Sequence, residues 1–182
     1  MTIFIAGIHG VGKTYLAKPA AERLSLVYAT ASQLIREERG SITWDKNKQV
    51  DEVAENQAAL LRAVKRINDN GNTLMLDGHL VLRKSINQHE RLPEAVFRDL
   101  SCEAIILLTC STEVVKKRLT ERGDSSWSTQ ELEEFAKAEA EHSETVAGAL
   151  EIPLICLSEP SIQDLIQALS GLRPSALTPH AA

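Results

Sequence analysis

The sequence predicts an α/β domain with a mostly parallel sheet and helices on both faces. Three observations predict it. Short apolar runs alternate with helix-period segments about five times along the chain. One run, Ala104–Thr109, is apolar throughout with no polar alternation, as in a strand buried on both faces. The first run, Thr2–Ala6, passes directly into a glycine-rich turn and then a helical segment.

The elements follow in order. Thr2–Ala6 is a strand, Gly7–Gly12 a loop and Lys13–Leu24 a helix, with a kink or deformed turn expected at Pro19. Leu26–Ala29 is a short strand and Ala31–Glu38 a helix ended by Gly40. Residues 41–46 are polar apart from Trp44. Apolar residues at Val50, Val53, Ala54, Leu60, Leu61, Val64 and Ile67 keep helical spacing, and Asn68–Gly71 terminates that helix. Thr73–Leu76 is a strand ending on Asp77, and residues 78–93 read as an active-site loop. Pro93–Leu100 is a short helix and Ala104–Thr109 the buried strand. Ser111–Arg122 is a helix capped by Ser111 or Thr112. Ser128 opens a long helix to about Leu150, with Glu131 completing a capping box. Pro153–Leu157 and Ser161–Leu169 are the last strand and helix, and residues 171–182 form a flexible tail.

Composition narrows the function classes. The 182 residues fit one domain, read as 1–170, with a hydrophobic content of 43% and a charged content of 25%. A net charge of −5 argues against a general nucleic-acid binder but leaves room for a local basic pocket. The three cysteines match no zinc or CxxC spacing, and Cys110 and Cys156 read as small buried hydrophobes. The odd cysteine count and the lack of a leader suggest a cytoplasmic setting. The N-terminal apolar run is too short for a membrane span, and no membrane association is expected.

The chemistry is written first in residues 7–14, Gly-Ile-His-Gly-Val-Gly-Lys-Thr. The pattern G-x-x-x-x-G-K-[ST] is filled by Gly7, Gly12, Lys13 and Thr14, the P-loop of nucleoside triphosphate sites. Glycines let the backbone curl its N–H groups around a phosphate, Lys13 brings a cation to the β- and γ-phosphates, and Thr14 can ligate Mg²⁺. The following helix offers its positive end to the anion. The ATP-binding set is Gly7, His9, Gly10, Val11, Gly12, Lys13, Thr14 and Tyr15, with His9 at a permissive position.

Asp77, at the end of an apolar strand, stands in the Walker-B arrangement and is the second candidate Mg²⁺ ligand beside Thr14. His79 would face the same cleft as an acceptor contact or base. Arg118 and Arg122 lie four apart, so on a helix they share a face and can stabilise a transferring phosphoryl group. Lys13, Asp77, Arg118 and Arg122 form the candidate catalytic set. Trp44 and Trp127 are candidates for stacking on a base or covering the cleft, against a plain packing role.

With these sites in place the chain resembles the P-loop nucleotide kinases. It is most similar to the adenylate-kinase-like group that includes archaeal adenylate kinases and a eukaryotic nuclear relative. The motifs that carry the likeness are Gly7–Thr14, Asp77-Gly78-His79, Arg118-Leu-Thr-Glu-Arg122 and residues 29–36. In the last of these, Thr30 and Arg36 occupy the threonine and arginine positions of the acceptor grip. The resemblance implies a three-layer α/β/α sandwich of about five parallel strands in the order 2-3-1-4-5. It also implies ATP and Mg²⁺ as donor and cofactor, an acceptor segment at about 30–70 and a short lid at about 118–130. Two departures leave AMP open as the acceptor. Gly-His-Leu-Val-Leu-Arg83 stands where AMP kinases carry Gly-Phe-Pro-Arg, and Ala31 and Ser32 replace a glycine and an aspartate.

The expected activity is phosphoryl transfer to a small-molecule acceptor, a nucleotide. Two alternatives share the loop: a kinase of the shikimate or gluconate type, and an ATP-hydrolysing switch with a protein or ribonucleoprotein partner. A GTPase is set aside, because Asn47-Lys48-Gln49-Val50 lacks the guanine-reading aspartate and lies too early in the chain.

Overall fold

The computed structural model describes residues 1–40 and 49–172. Strand β1 (Thr2–Ala6) runs through the middle of a five-stranded parallel sheet, between β3 (Leu74–Asp77) and β6 (Cys102–Thr109). Strands β2 (Val27–Thr30) and β7 (Leu154–Ser158) add at the two edges. The order β2-β3-β1-β6-β7 is the expected 2-3-1-4-5 when only the strands of this sheet are counted.

Alternation along the central strands divides the core. Ile3 and Ile5 of β1, Met75 of β3, and Ile106 and Leu108 of β6 share one cluster with α1 (Lys13–Arg23), α5 (Thr112–Glu121) and α7 (Ile162–Gly171). Phe4, Ala6, Leu74, Leu76, Ile105 and Leu107 enter the opposite cluster, with α2 (Ala31–Arg39), α3 (Gln49–Asp69) and α4 (Glu94–Asp99). The unbroken apolar run of β6 is the consequence of burial on both faces. Helix α6 (Thr129–Leu150) serves both clusters, through Leu132 and Phe135 at one end and Val146 and Ala147 at the other.

Several local expectations change. Residues 78–93 are not simply a loop. Strands β4 (Val81–Ser85) and β5 (Gln88–Arg91) form an antiparallel hairpin outside the main sheet. Their polar sequence hides it, because a two-stranded ribbon gains its stability from what it docks on, here α6. Ser128 caps α6 by accepting from the Glu131 N–H, but the reciprocal half of the capping box does not form. The Glu131 carboxylate is fully buried and held by Arg83 instead. A complete capping box occurs at Ser161 and Asp164, ahead of α7. Helix α1 continues through Pro19 to Arg23. Cys102 is the buried cysteine; Cys110 is half-buried and Cys156, on the outermost strand, is exposed. Among the described residues no helix is long and apolar enough to cross a membrane. Trp44, the Asn47-Lys48 pair and residues 173–182 lie outside the described residues.

Candidate active site

The site forms where β1 and β3 end, β1 turning into helix α1 and β3 passing into the β4–β5 hairpin, at the usual ligand position in an open α/β sheet. At the end of β1, Gly7 takes φ +136°, and a Cβ there would lie 2.5 Å from the Leu108 carbonyl oxygen. Only glycine fits both the dihedral and the space. The loop closes on Gly12, the N-cap of α1, at φ +108° and with no side-chain cap. The amino end of α1 is thus left open towards the cavity, with its positive dipole end ready for an anion.

Lys13 is buried, and its ammonium donates to the Gly7 carbonyl at 2.5 Å and the Ile8 carbonyl at 3.4 Å. It stands 3.9 Å from Asp77 Oδ1. Burial pulls the Lys13 pKa down from its ordinary value, and Asp77 and Glu139 act against that shift. Thr14 Oγ1 donates to Asp77 Oδ2 at 3.0 Å, and the Tyr28 hydroxyl donates to the same oxygen at 2.8 Å. Thr14 and Asp77 therefore offer one hydroxyl and one carboxylate from adjacent elements. Such hard oxygens suit Mg²⁺ when it shares its coordination with water and substrate phosphates. Among the described residues no group of three or more His, Cys, Asp or Glu could hold a metal ion.

The two arginines take different places. Arg118 lies against the loop, donating through Nη1 to the Gly10 and Val11 carbonyls at 3.1 and 2.9 Å. Arg122 is the C-cap of α5 and lines the cavity. His9 and His79 also line it, with ring centroids 4.2 Å apart. Burial, reinforced by Lys13, holds His9 down at about 4. The same two causes, with His9 added, hold His79 well below its ordinary value. Both rings are neutral near pH 7.

The cavity measures about 450 Å³. Its polar end carries Gly10, Gly12, Lys13, Thr14, Tyr15 and Asp77. Its apolar lining is Phe4, Leu60, Leu92, Val96, Phe97 and Leu100, with Thr30, Ser32, Asn56 and Gln57 among its polar lining. Gly78 keeps the floor intact, since a Cβ there would sit 2.7 Å from Phe4 Cζ. Thr30, also the N-cap of α2, is brought to the cavity, whereas Arg36 is exposed on α2 and does not line it. Val11 is buried beneath the loop, and Tyr15 is 75% exposed at the cavity margin.

Three features escaped the sequence reading. Tyr28 holds Asp77 from the neighbouring strand. Arg83 forms a bidentate pair with Glu131, donates to the Ser126 backbone and hydroxyl, and lies 3.7 Å over the Trp127 ring. Arg83 is thus committed to Glu131, Ser126 and Trp127, and Trp127 is a buried packing residue. The third is Glu139, fully buried in α6, which accepts from the Gly7, Leu80 and Val81 N–H groups. A signal for it existed: Leu132, Phe135, Glu139, His142 and Val146 keep the spacing of the buried face, so one acidic residue falls in an apolar stripe.

Comparison with known proteins agrees with this geometry. The chain is 27% identical over 123 residues to a candidate adenylate kinase of Methanocaldococcus jannaschii; the match covers 68% of this chain and 59% of that protein's length. It is 25% identical over 181 residues to a cytidylate kinase of Sulfurisphaera tokodaii, covering 98% and 91% of the two chains. In three dimensions it superposes on the shikimate kinase of Acinetobacter baumannii, solved with shikimate, with a TM-score of 0.61 at 17% identity, over 94% and 91% of the chains. That last likeness speaks for the fold alone. The family profile described as an AAA domain matches residues 6–136, and the chain belongs to that family, among its P-loop kinases.

Proposed function

We propose that this protein transfers the γ-phosphoryl group of ATP to a nucleoside monophosphate. One observation carries the reading: a single cavity runs from the Lys13, Thr14 and Asp77 cluster to an apolar floor around Phe4 and Phe97. A triphosphate at the first end and a flat ring at the second would meet beside His79 and Arg122. The nucleotide kinases similar to this chain point the same way.

In the proposed reaction an oxygen of the acceptor phosphate attacks the γ-phosphorus in line. The bond from that phosphorus to the β–γ bridging oxygen breaks, and ADP leaves. The chain's part is positioning and electrostatics. The loop amides and Lys13 hold the β- and γ-phosphates, and Arg122 meets charge on the transferring group. Arg118 keeps the loop in shape through the Gly10 and Val11 carbonyls. Thr14 and Asp77 would hold Mg²⁺, which supplies charge neutralisation on the phosphates when bound. Thr30 lies at the acceptor end.

ADP release from ATP and Mg²⁺ should rise when one member of a panel of nucleoside monophosphates is added. Lys13→Ala should remove that rise by roughly 10²-fold or more while the circular dichroism spectrum is kept. Slow hydrolysis that no nucleoside monophosphate stimulates would sink the transfer reading.

A further inference from the structure

We infer that Glu139 is a positioning residue that ties the phosphate loop to the acceptor side of the cavity. The inference rests on the phosphoryl-transfer reading above and adds a residue to it. Glu139 sits in the middle of α6, fully buried. Its Oε1 accepts from the Gly7 N–H at 3.2 Å and the Leu80 N–H at 3.1 Å. Its Oε2 accepts from Leu80 at 3.2 Å and from Val81 at 2.8 Å. One carboxylate thus holds the first glycine of the P-loop and the start of the hairpin that follows Asp77.

A buried carboxylate is costly unless its oxygens are bonded, and among the described residues these accept only from main chain. Burial raises the Glu139 pKa, and Lys13, Gly7, Leu80 and Val81 pull it back. Because the donors are backbone amides, the carboxylate fixes the separation of two segments rather than the pose of one side chain. Both segments border the cavity, the first through Ile8 and His9 and the second through His79 and Leu82. Gly7 also accepts from Lys13 through its carbonyl. His79, next to Leu80, lies 3.5 Å from Lys13 through Nε2 and 3.9 Å from Glu139 Oε1 through Nδ1. Lys13, Gly7, Glu139 and His79 therefore close a ring between the donor end and the acceptor end. Among the described residues His79 Nδ1 is buried with no hydrogen-bond partner, and Glu139 is the one carboxylate paired with it within 4.0 Å.

Glu139→Gln keeps the shape but turns an amide N–H₂ towards backbone donors. In the full chain, Michaelis constants for ATP and for the stimulating nucleoside monophosphate should both rise about tenfold, the scale of one lost charge-assisted hydrogen bond. A purely structural role would lower melting temperature and active fraction without moving these constants. Constants within twofold of wild type overturn the inference. If the wild type shows no stimulated ADP release, the transfer reading fails. The inference is then read from ATP binding, which Glu139→Gln must weaken about tenfold, and unchanged binding overturns it. Should Glu139→Gln not fold, the wild-type amide protons of Gly7, Leu80 and Val81 decide. Slow exchange and downfield shifts support the carboxylate clamp, and fast exchange overturns it.

Discussion

Thr14 on α1 donates a 3.0 Å hydrogen bond to Asp77 at the end of β3, joining two residues 63 positions apart. Tyr28 donates to the same carboxylate oxygen from β2. Asp77 is therefore held from two sides. Asp77→Asn should lower ATP turnover by roughly 10²-fold, because it removes the charge that would hold the metal. Tyr28→Phe should cost only about 1 kcal/mol of stability and less than about tenfold in turnover, since it removes one hydrogen bond and leaves the charge. Steady-state kinetics and urea unfolding of both variants check this. Equal losses of activity in the two would contradict it.

Gly7 carries a second prediction. Gly7→Ala must place a methyl group against the Leu108 carbonyl oxygen at a dihedral that alanine rarely adopts. The two penalties together should destabilise the fold by about 3 kcal/mol and weaken ATP binding. Gly40→Ala is a useful control: it shares a positive φ but meets nothing among the described residues within 4 Å. Urea unfolding should rank Gly7→Ala well below the control, and equal stabilities would refute the steric argument.

Those two sites mark what could be read before the structure. The sheet and its helices were legible because continuous apolar runs and helix-period segments report burial directly: β1 and β3 are buried throughout, and β6 is buried from Ala104 to Leu108. The P-loop was legible because its chemistry needs particular residues at consecutive positions. The β4–β5 hairpin was not, because Val81–Ser85 and Gln88–Arg91 depend on α6 rather than on their own alternation. Glu131 fitted a local capping rule that a long-range partner overrode, as Arg83 captured its carboxylate from 48 positions away. Arg83 entered the sequence analysis only as a departure from the AMP-kinase pattern, and its sequence neighbourhood gave no hint of Trp127.

That pairing supplies a third prediction. Arg83→Ala would leave the fully buried Glu131 carboxylate without its bidentate partner. Breaking one side of a buried pair should cost about 3 kcal/mol. The guanidinium also covers Trp127, so emission from a variant whose sole tryptophan is Trp127 (Trp44→Phe) should shift to the red. A cost below about 1 kcal/mol with unchanged emission would show that the pair contributes little.

The last prediction concerns pH. His9 titrates at about 4 in the folded chain because burial and Lys13 oppose its charged form. In the unfolded chain it should titrate near its ordinary value of about 6.5. Between these two values the unfolded chain binds a proton that the folded chain does not. Stability should therefore be complete above about pH 6.5 and decline as the pH falls towards 4. His79, held down by the same causes, should add to the decline. Glu131 acts in a lower range: Arg83 depresses its pKa, so its contribution is present above the ordinary glutamate value and is lost on further acidification. Replacing His9 with Asn removes one of the two imidazoles and should flatten the slope of unfolding free energy between pH 6.5 and 4. Urea unfolding across that interval measures the slope directly, and an unchanged slope in His9→Asn would show that His9 is protonated equally in both states.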